Sequence, residues 1–257
     1  GNVLYRAMLG ETMGYSCAWW DVAETLDAAQ RAKRDLVGLK LGREPGMRVL
    51  DIGCGWGSFA RHAAEHYGAR VVGVTISEEQ ARLARALCAG HDVDIRLQDY
   101  RDVEGRFDRI ASLGMFEHVG RKNYRVYMDT ARRLLEPDGL FLLHTIGRND
   151  QGAGIDPWVT RYIFPNSEIP SLRRLVRALD RRFVIEDLHN FGADYARTLQ
   201  VVVAVSALVA SHMPADFYRR WMYYLNLFTG VFRARGLQLW QCVLSPQGVP
   251  GGYRRPA

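Results

Sequence analysis

The chain has 257 residues, of which 48% are hydrophobic and 24% are charged. This composition excludes a disordered chain and allows a sizeable core, so we expect one domain over residues 1–257. A formal net charge of +6 favours an anionic partner: nucleic acid, a phospholipid surface or an acidic substrate. The four cysteines have no C-x-x-C spacing, which predicts reduced thiols, no metal site and no disulfide framework.

The N-terminal residues and the length of the apolar stretches indicate the cellular location. The opening residues, "GNVLYRAMLGETMGYS", lack the basic start and apolar core of a secretory signal peptide. The longest apolar stretch, residues 201–210, is shorter than the about 20 residues that cross a bilayer. We therefore expect a cytoplasmic protein without a transmembrane segment.

Strand and helix patterns alternate through the first half of the chain. After a helical pattern at residues 21–41, the strand patterns cover residues 47–53, 69–76, 94–100, 107–116 and 139–146. The helix patterns between them cover residues 58–68, 77–90 and 122–139. This alternation predicts an α/β protein with a Rossmann-like, doubly wound and mostly parallel sheet.

The second half of the chain departs from this alternation. Residues 147–170 are rich in Gly, Pro and aromatics, and we interpret them as an inserted loop or lid over the strand ends. Further elements are predicted at residues 171–183 (helix), 184–192 (strand), 216–236 (helix) and 237–245 (strand). The simplest architecture is one Rossmann-like domain with helical additions, including an N-terminal helical segment at residues 1–45.

A glycine turn follows the first strand. The stretch "VLDIGCGWGSFA" combines a strand, a turn with Gly53, Gly55 and Gly57, and a helix start, so that backbone can approach a ligand closely. The spacing is G-x-G-x-G and not the G-x-G-x-x-G of dinucleotide binders. It resembles the S-adenosylmethionine turn of Rossmann-like methyltransferases; an NAD site and a structural turn are the alternatives.

Polar residues at the next strand ends are candidates for contacts to the rest of this cofactor. Many such enzymes place an acid after the second strand, where this chain has Thr75, so either the cofactor prediction is weaker or Thr75 and Gln80 bind the ribose by neutral hydrogen bonds. After the third strand, Asp99 is placed to accept from the adenine amine and Tyr100 to stack on the ring. Asp99 as an ordinary loop acid is the alternative.

A carboxylate and an imidazole, Glu117 and His118, follow the strand at residues 107–116. The carboxyl ends of parallel strands are where α/β proteins bind ligands, so these side chains are predicted to face a cavity. The alternative is a strand that simply reaches solvent.

Several segments along nearly the whole chain together resemble cyclopropane-fatty-acid-phospholipid synthases, and the bacterial phospholipid-acting type more than the mycolic-acid type. These segments are "YSCAWW", "VLDIGCGWGSFA", "GVTISEEQ", "LQDYRD", "GMFEHVGRKNY", "LLHTIG", "NFGADYARTL" and "FRARGLQLWQ". The resemblance implies a class I methyltransferase fold whose helical additions form a lipid-binding cap. The cofactor site that we assign comprises Tyr15, Ser16, Gly53, Cys54, Gly55, Thr75, Gln80, Gln98, Asp99, Tyr100 and Leu113.

The resemblance also implies the reaction. The cis double bond of an acyl chain attacks the sulfonium methyl group, and the carbocation that results loses a proton to a bound bicarbonate ion as the cyclopropane ring closes. The implied bicarbonate cage is Cys17, Glu117, His144, the backbone of Ile146, and Tyr195. Taken alone, Cys17 and His144 are better explained as buried structural residues, and only their occurrence together with the glycine turn favours the cage. We expect His118 to pack behind Glu117, and the aromatics Tyr15, Phe116 and Trp158 are candidates to stabilise the cation.

The resemblance implies an unsaturated phospholipid at an anionic membrane surface as partner, with the protein bound peripherally to the inner face, and a homodimer is possible. Arg219, Arg220, Arg233 and Arg235 among aromatics predict an interfacial helix, although an ordinary packing helix has the same pattern. The aliphatic residues 201–210 depart from the family pattern and predict an altered tunnel wall or an unusually buried helix. Bacterial members carry a further N-terminal domain that this chain is expected to lack.

Other functions fit parts of the sequence. A related enzyme would stop at methyl addition and give a methyl-branched or methylene chain, or would methylate an amine nitrogen. A catalytically silent lipid or S-adenosylmethionine binder is the alternative of a different class. A basic RNA methyltransferase is also conceivable, but no nucleic-acid-binding motif supports it, and we expect no nucleic-acid partner.

Overall fold

In the computed structural model, which describes residues 2–10, 13–150 and 156–256, one seven-stranded sheet organises the chain, with the order β3-β2-β1-β4-β5-β7-β6. Neighbouring strands are parallel except for the β5–β7 and β7–β6 pairs, which are antiparallel. The strands are β1 (Arg48–Ile52), β2 (Arg70–Thr75), β3 (Val93–Leu97), β4 (Phe107–Leu113), β5 (Leu135–Gly147), β6 (Val184–Asn190) and β7 (Gln238–Ser245). The predicted doubly wound, mostly parallel sheet is confirmed.

Helices cover both faces of this sheet. They are α1 (Asn2–Leu9), α2 (Leu26–Lys40), α3 (Ser58–Tyr67), α4 (Glu78–Leu87), α5 (Tyr124–Leu134), α6 (Pro157–Tyr162), α7 (Leu172–Leu179), α8 (Gly192–Leu208) and α9 (Ala215–Arg233). Short 3-10 turns lie at Tyr100–Asp102, Phe116–His118, Arg121–Asn123 and Ala210–His212. No helix within the described residues is both long enough and apolar enough to cross a bilayer.

Three hydrophobic clusters hold these layers together. One joins α5 and α7 to one sheet face through residues such as Tyr127 and Leu175, and the second joins α2, α3 and α4 to the other face through residues such as Val37 and Phe59. Because the strands are covered on both faces, β1 is buried over nearly its whole length. A third cluster joins α1, α8 and α9, and this is where the additions to the sheet pack.

Local signals fix several helix ends where the sequence predicts them. The Ser77 side chain accepts a hydrogen bond from the backbone N–H of Gln80 (3.3 Å) and caps α4. Gly68 closes α3 with a φ of 63°, a left-handed conformation that suits glycine. The stretch from α2 to α4 therefore follows its local sequence closely.

Several predicted boundaries are wrong, and three of them lie next to the candidate site. The helix expected at residues 122–139 ends at Leu134, because Pro137 cannot continue a helix and Leu135 already pairs with Phe107 on β4. The strand expected at 94–100 ends at Leu97, and the one expected at 107–116 ends at Leu113. Each is followed by a 3-10 turn, so the candidate site residues after β3 and β4 lie on turns.

Helix α8 ends at Leu208, so it contains residues 201–208 of the aliphatic stretch 201–210. The helix is not buried on all sides. Val202 is buried at 4% exposure, whereas Leu208 is 83% exposed and Ala204 and Ala207 are also exposed. The expectation of an unusually buried helix is therefore wrong. The predicted insert at 147–170 contains α6, but its residues 151–155 lie outside the described residues, as do residues 1, 11 and 12 of the predicted N-terminal segment and residue 257.

Candidate active site

The glycine turn lies between the ends of three strands. The N–H groups of Gly53 and Cys54 donate to the carbonyl oxygen of Val74 at 2.9 and 3.0 Å, which anchors the turn to β2. Gly53 has a φ of 79°, and a Cβ atom there would lie 2.6 Å from Cγ of Met115 in the turn after β4. Gly55 has a φ of 56° and open space where its Cβ would be. The turn thus leaves room for a ligand against its backbone.

One cavity extends from this turn, and every residue assigned from the sequence to the cofactor site lines it. These residues are Tyr15, Ser16, Gly53, Cys54, Gly55, Thr75, Gln80, Gln98, Asp99, Tyr100 and Leu113. The walls come from the turns after β1, β2, β3 and β4, which all lie at the carboxyl edge of the parallel part of the sheet. We name this space the cofactor cavity.

The residues expected near the ribose are paired with each other. The Thr75 hydroxyl donates to Oε1 of Gln80 (3.0 Å) and accepts from the N–H of Ser77 (3.2 Å). This pair is neutral, so it offers hydrogen-bonding groups at the end of β2 without the charge of the acid found in many relatives of this fold. The geometry is compatible with neutral binding of a ribose.

The Asp99 carboxylate already has a cationic partner. It accepts from the backbone N–H (2.9 Å), Nε (2.9 Å) and Nη2 (2.7 Å) of Arg101. An adenine amine would have to share this carboxylate with the guanidinium. The neighbouring Tyr100 ring packs edge-on against Tyr127 at 5.0 Å between centroids. Arg101 was not assigned to the site from the sequence, and the only sequence signal for it was the i, i+2 spacing to Asp99.

Three further charged residues that line the cofactor cavity were also missed: Lys33, Arg34 and Asp51. Nζ of Lys33 donates to Oγ of Ser16 (2.9 Å), and burial lowers the pKa of Lys33 to about 8. Burial raises the pKa of Asp51, at the end of β1, to about 7, and the Lys33 charge opposes this shift. The signal for Lys33 was its place on the apolar stripe of α2, four residues after the buried Ala29.

A second cavity is mostly apolar and adjoins the first. We name it the apolar cavity, and its apolar walls come mostly from α8, α9 and the insert, with one residue each from α1, α2 and β7. The apolar residues that line it are Leu9, Leu26, Val159, Phe164, Ile169, Leu199, Val202, Leu225, Phe228, Phe232 and Leu239. Gly14, Tyr15, Ser16, Gly114, His118 and Phe164 line both cavities. A ligand in one cavity would therefore lie next to a ligand in the other.

Polar groups line one part of the apolar cavity: Glu117, His144, Ile146, Tyr195 and Thr198. Oε1 of Glu117 accepts from the backbone N–H of Ile146 at 2.6 Å. Oε2 of Glu117 and Nε2 of His144 are buried, and neither has a hydrogen-bond partner among the described residues. Buried polar atoms without partners are costly, and two of them in the wall of one cavity indicate a polar ligand there.

Burial sets the protonation of these groups. Burial lowers the pKa of His144 well below its usual value, and the nearby charges of Lys33 and Lys40 lower it further. Burial raises the pKa of Glu117 to about 7 and raises the pKa of Tyr195 well above its usual value. At neutral pH the imidazole and the phenol are thus both uncharged, and Glu117 is between its two forms.

Cys17 lies behind this wall. Its thiol donates to the carbonyl oxygen of Ala18 (3.2 Å) and lies 3.9 Å from Oγ1 of Thr198, and it packs against Ile146 and Tyr195. The residues of the predicted cage are therefore neighbours. However, Cys17 does not line the cavity, and Ile146 gives its N–H to Glu117.

Three other site predictions need correction. His118 does not pack behind Glu117, because it is exposed and lines both cavities. Phe116 is fully buried and stacks on Tyr124 with 4.3 Å between ring centroids, so it belongs to the core. Trp158 lines neither cavity and packs against Tyr223 (4.6 Å) on α9. Tyr15 does line both cavities.

Comparisons with known proteins agree with this geometry. The family described as mycolic acid cyclopropane synthetase matches residues 1–242. The chain is 50% identical to the cyclopropane-fatty-acyl-phospholipid synthase of Escherichia coli (strain K12), over 99% of this chain and 67% of that protein. It is 34% identical to cyclopropane mycolic acid synthase 1 of Mycobacterium tuberculosis, over 89% of this chain and 88% of that protein.

A solved structure gives the same result in three dimensions. Mycolic acid cyclopropane synthase CmaA1, complexed with SAH and CTAB, superposes with a TM-score of 0.89 at 31% identity and covers 95% of this chain and 94% of that one. The fold, the paired cavities and these similarities lead to one conclusion. The chain belongs to the cyclopropane synthase family of S-adenosylmethionine-dependent methyltransferases.

Proposed function

We propose that this protein transfers a methylene group from S-adenosylmethionine to the cis double bond of an unsaturated phospholipid acyl chain, with bicarbonate as the base. The observation that supports this most is the common wall of the two cavities. The cofactor cavity is the more polar of the two and begins at the glycine turn, and the other is mostly apolar with a cluster of buried polar groups. A methyl donor and an alkene held in these cavities would meet at that wall.

The proposed reaction balances as follows. The alkene π electrons form a bond to the methyl carbon while the carbon–sulfur bond breaks, which leaves a carbocation on the acyl chain. The added methyl group then loses a proton to the base, and its electron pair closes the ring. S-Adenosylmethionine supplies the electrophilic carbon, and bicarbonate supplies a base that is small enough for an apolar site.

The polar wall fits an ion that both donates and accepts hydrogen bonds. Oε2 of Glu117 lacks a partner and can accept from the hydroxyl group of bicarbonate when the carboxyl is ionised. The His144 ring and the Tyr195 hydroxyl are the donors available for the ion's oxygens. Cys17 supports the wall from behind, and Ile146 lines it and donates its N–H to Glu117. Glu117 thus orients the ion. In the protonated form, which its raised pKa favours, Oε2 would instead donate to an oxygen of the ion, and the repulsion between two anions would be absent.

The lipid tail would lie in the apolar cavity and enter from the surface of α6 and α9. There, Tyr162 and Tyr223 are exposed and flank Trp158, with ring centroids 5.6 and 4.6 Å from it. The guanidinium groups of Arg161 and Arg220 lie over the Tyr162 ring, 5.4 and 5.5 Å from its centroid. This mixture of aromatic and cationic side chains suits an anionic membrane surface, so we propose peripheral association with the cytoplasmic face.

The test is incubation with labelled S-adenosylmethionine and vesicles of unsaturated phospholipid, followed by mass analysis of the released acyl chains. A gain of one CH₂ with loss of the alkene supports the proposal. A methylated chain that is branched, or label in amines or RNA, would contradict it. Glu117→Gln serves as the low-activity control, because it retains the shape of the wall.

A further inference from the structure

A buried lysine lies behind the polar wall of the apolar cavity. Lys40, the last residue of α2, has a side chain with 0% exposure. Its Nζ lies 2.8 Å from Oε1 of Gln241 on β7, 2.9 Å from Nδ1 of His189 on β6 and 3.7 Å from Oδ2 of Asp187. Side chains from α2, β6 and β7 therefore converge on one ammonium group, and Lys40, Asp187, His189 and Gln241 line neither cavity.

The Gln241 side chain connects this ammonium to the wall. Gln241 is fully buried, and its Nε2 lies 3.3 Å from Nδ1 of His144. An ammonium can only donate hydrogen bonds, so the Gln241 atom facing Lys40 has to be the amide oxygen. The other end is then the NH₂ group, which donates to Nδ1 of His144. Because Nδ1 accepts, the proton of the neutral imidazole resides on Nε2.

That proton lies on the ring nitrogen that has no hydrogen-bond partner among the described residues. Nε2 of His144 is buried without a hydrogen-bond partner among the described residues, and the ring lines the apolar cavity. The backbone of His144 is fixed between β4 and β7, since its carbonyl accepts from Gly114 (2.8 Å) and its register partner on β7 is Gln241 itself. The lysine thus selects the ring nitrogen that donates into the cavity.

We infer that Lys40 and Gln241 are positioning residues that hold His144 in its Nε2–H form, so that the imidazole donates to an oxyanion in the apolar cavity and does not act as the base. This inference rests on the proposed function for the identity of the oxyanion. The tautomer itself follows from the contacts among Lys40, Gln241 and His144. The lowered pKa of His144, caused by burial and then by Lys33 and Lys40, is consistent with a neutral ring.

The C-terminal residues complete the surroundings of Lys40. The Tyr253 hydroxyl donates to the backbone carbonyl of Lys40 (3.0 Å), and Arg255 forms an ion pair with Asp187. Asp187 is thus a carboxylate shared by Lys40 and Arg255, and it offsets the charge that is buried behind the wall. The tail after β7 therefore covers the ammonium on its outer side.

The direct test is ¹⁵N–¹H NMR of the full chain with ¹⁵N-labelled histidine, with the His144 signals assigned by their loss in His144→Gln. We expect a proton on Nε2 of His144 and none on Nδ1 at neutral pH. In Gln241→Glu, the carboxylate accepts from both neighbours, so the proton should move to Nδ1. In Lys40→Met, Gln241 is free to reverse, and the signals should report a mixture of tautomers. A wild-type ring that is protonated on Nδ1, or on both nitrogens, overturns the inference without any variant.

The matched control is Gln238→Leu, which removes another buried amide from β7. Gln238 bonds to Arg235 and Asn190 and has no contact with His144. We expect Gln241→Glu to lose more than about tenfold in turnover while its affinity for S-adenosylmethionine stays within about twofold, and Gln238→Leu to keep the wild-type tautomer. An unchanged tautomer in Gln241→Glu overturns the inference. The expected tautomers with a different reaction product would instead contradict the proposed function alone.

Discussion

Glu117 combines features that a surface carboxylate does not have. It is 6% exposed, one of its oxygens is fixed by the N–H of Ile146, and the other has no partner among the described residues. A group held in this way has a defined direction, and its partner must come from the cavity. These contacts support the proposal that Glu117 orients the bound ion and contributes little to cofactor binding.

Replacing Glu117 with Gln should separate these two roles. We expect turnover to fall roughly a hundredfold, the size typical of losing a group that assists proton transfer, with little change in the Kd for S-adenosylmethionine. Steady-state kinetics and calorimetric titration of the cofactor measure the two quantities. Glu186→Gln, on the distant strand β6, is the control and should retain activity. Equal losses in turnover and affinity would mean that Glu117 belongs to the cofactor site.

The raised pKa of Glu117 has a consequence for stability. Its pKa is about 7 in the folded protein against an ordinary value of 4.5, so the folded state binds the extra proton between these values. Stability from this group is present at low pH and is lost as the pH rises toward 7. The free energy of unfolding of the wild type should therefore fall relative to that of Glu117→Gln as the pH rises from about 5 to about 7, by at most about 1.4 kcal/mol per pH unit.

Denaturant unfolding at several pH values measures this difference. Asp51 also has a raised pKa, but it is present in both proteins, so its contribution cancels in the comparison. A difference that is constant with pH, or that runs in the opposite direction, would show that Glu117 is ionised in the fold.

At the scale of elements, the helix ends that depend only on neighbouring residues were predicted correctly. The cap of α4 by Ser77 and the closure of α3 by Gly68 depend on neighbouring residues, so the sequence was sufficient. The start of β5 depends on pairing between Leu135 and Phe107, which are distant in sequence, and this boundary was misplaced. The residues of the cofactor cavity were recognised by motif, whereas Lys33, Lys40 and Gln241 reach the site only through tertiary packing.

Helix α8 offers a test of the apolar cavity, because its two sides differ. Val202 lines the cavity, whereas Ala204, two residues later, is exposed. Val202→Phe should fill part of the space for the acyl chain and lower the rate on long chains relative to short ones by about tenfold, equivalent to about 1.4 kcal/mol. Ala204→Phe adds an aromatic ring on the opposite side and should leave the chain preference unchanged. Competition assays with mixed-chain vesicles measure the ratio, and equal effects would place the tail elsewhere.

At the scale of the whole molecule, part of the positive charge is grouped on one surface. Arg161 and Arg220 lie beside exposed aromatic rings on α6 and α9, the elements that also wall the apolar cavity. This places the proposed membrane contact next to the proposed lipid entry. The charge inferred from composition alone left nucleic acid and membrane open, and the position of these groups favours the membrane.

Removal of these charges should weaken membrane binding. Because each cation near an anionic surface contributes about 1 kcal/mol, Arg161→Gln with Arg220→Gln should lower affinity for anionic vesicles roughly thirtyfold, and added salt should reduce the difference. Arg70→Gln, at an exposed site on β2, is the matched control. Vesicle sedimentation measures the binding. Arg70→Gln removes one charge instead of two, so a weakening of about fivefold by Arg70→Gln would indicate that net charge alone, and not this surface, directs the association.

The most direct test of the central claim is the fate of the transferred hydrogens. The protein would be incubated with S-adenosylmethionine that carries a fully deuterated methyl group and with vesicles of cis-unsaturated phospholipid. Mass spectrometry would then measure the masses of the acyl products. We predict a saturated ring carbon that has lost one deuteron, because the proposed base beside Glu117 and His144 removes it. A product that retains every deuteron of the methyl group would contradict the account.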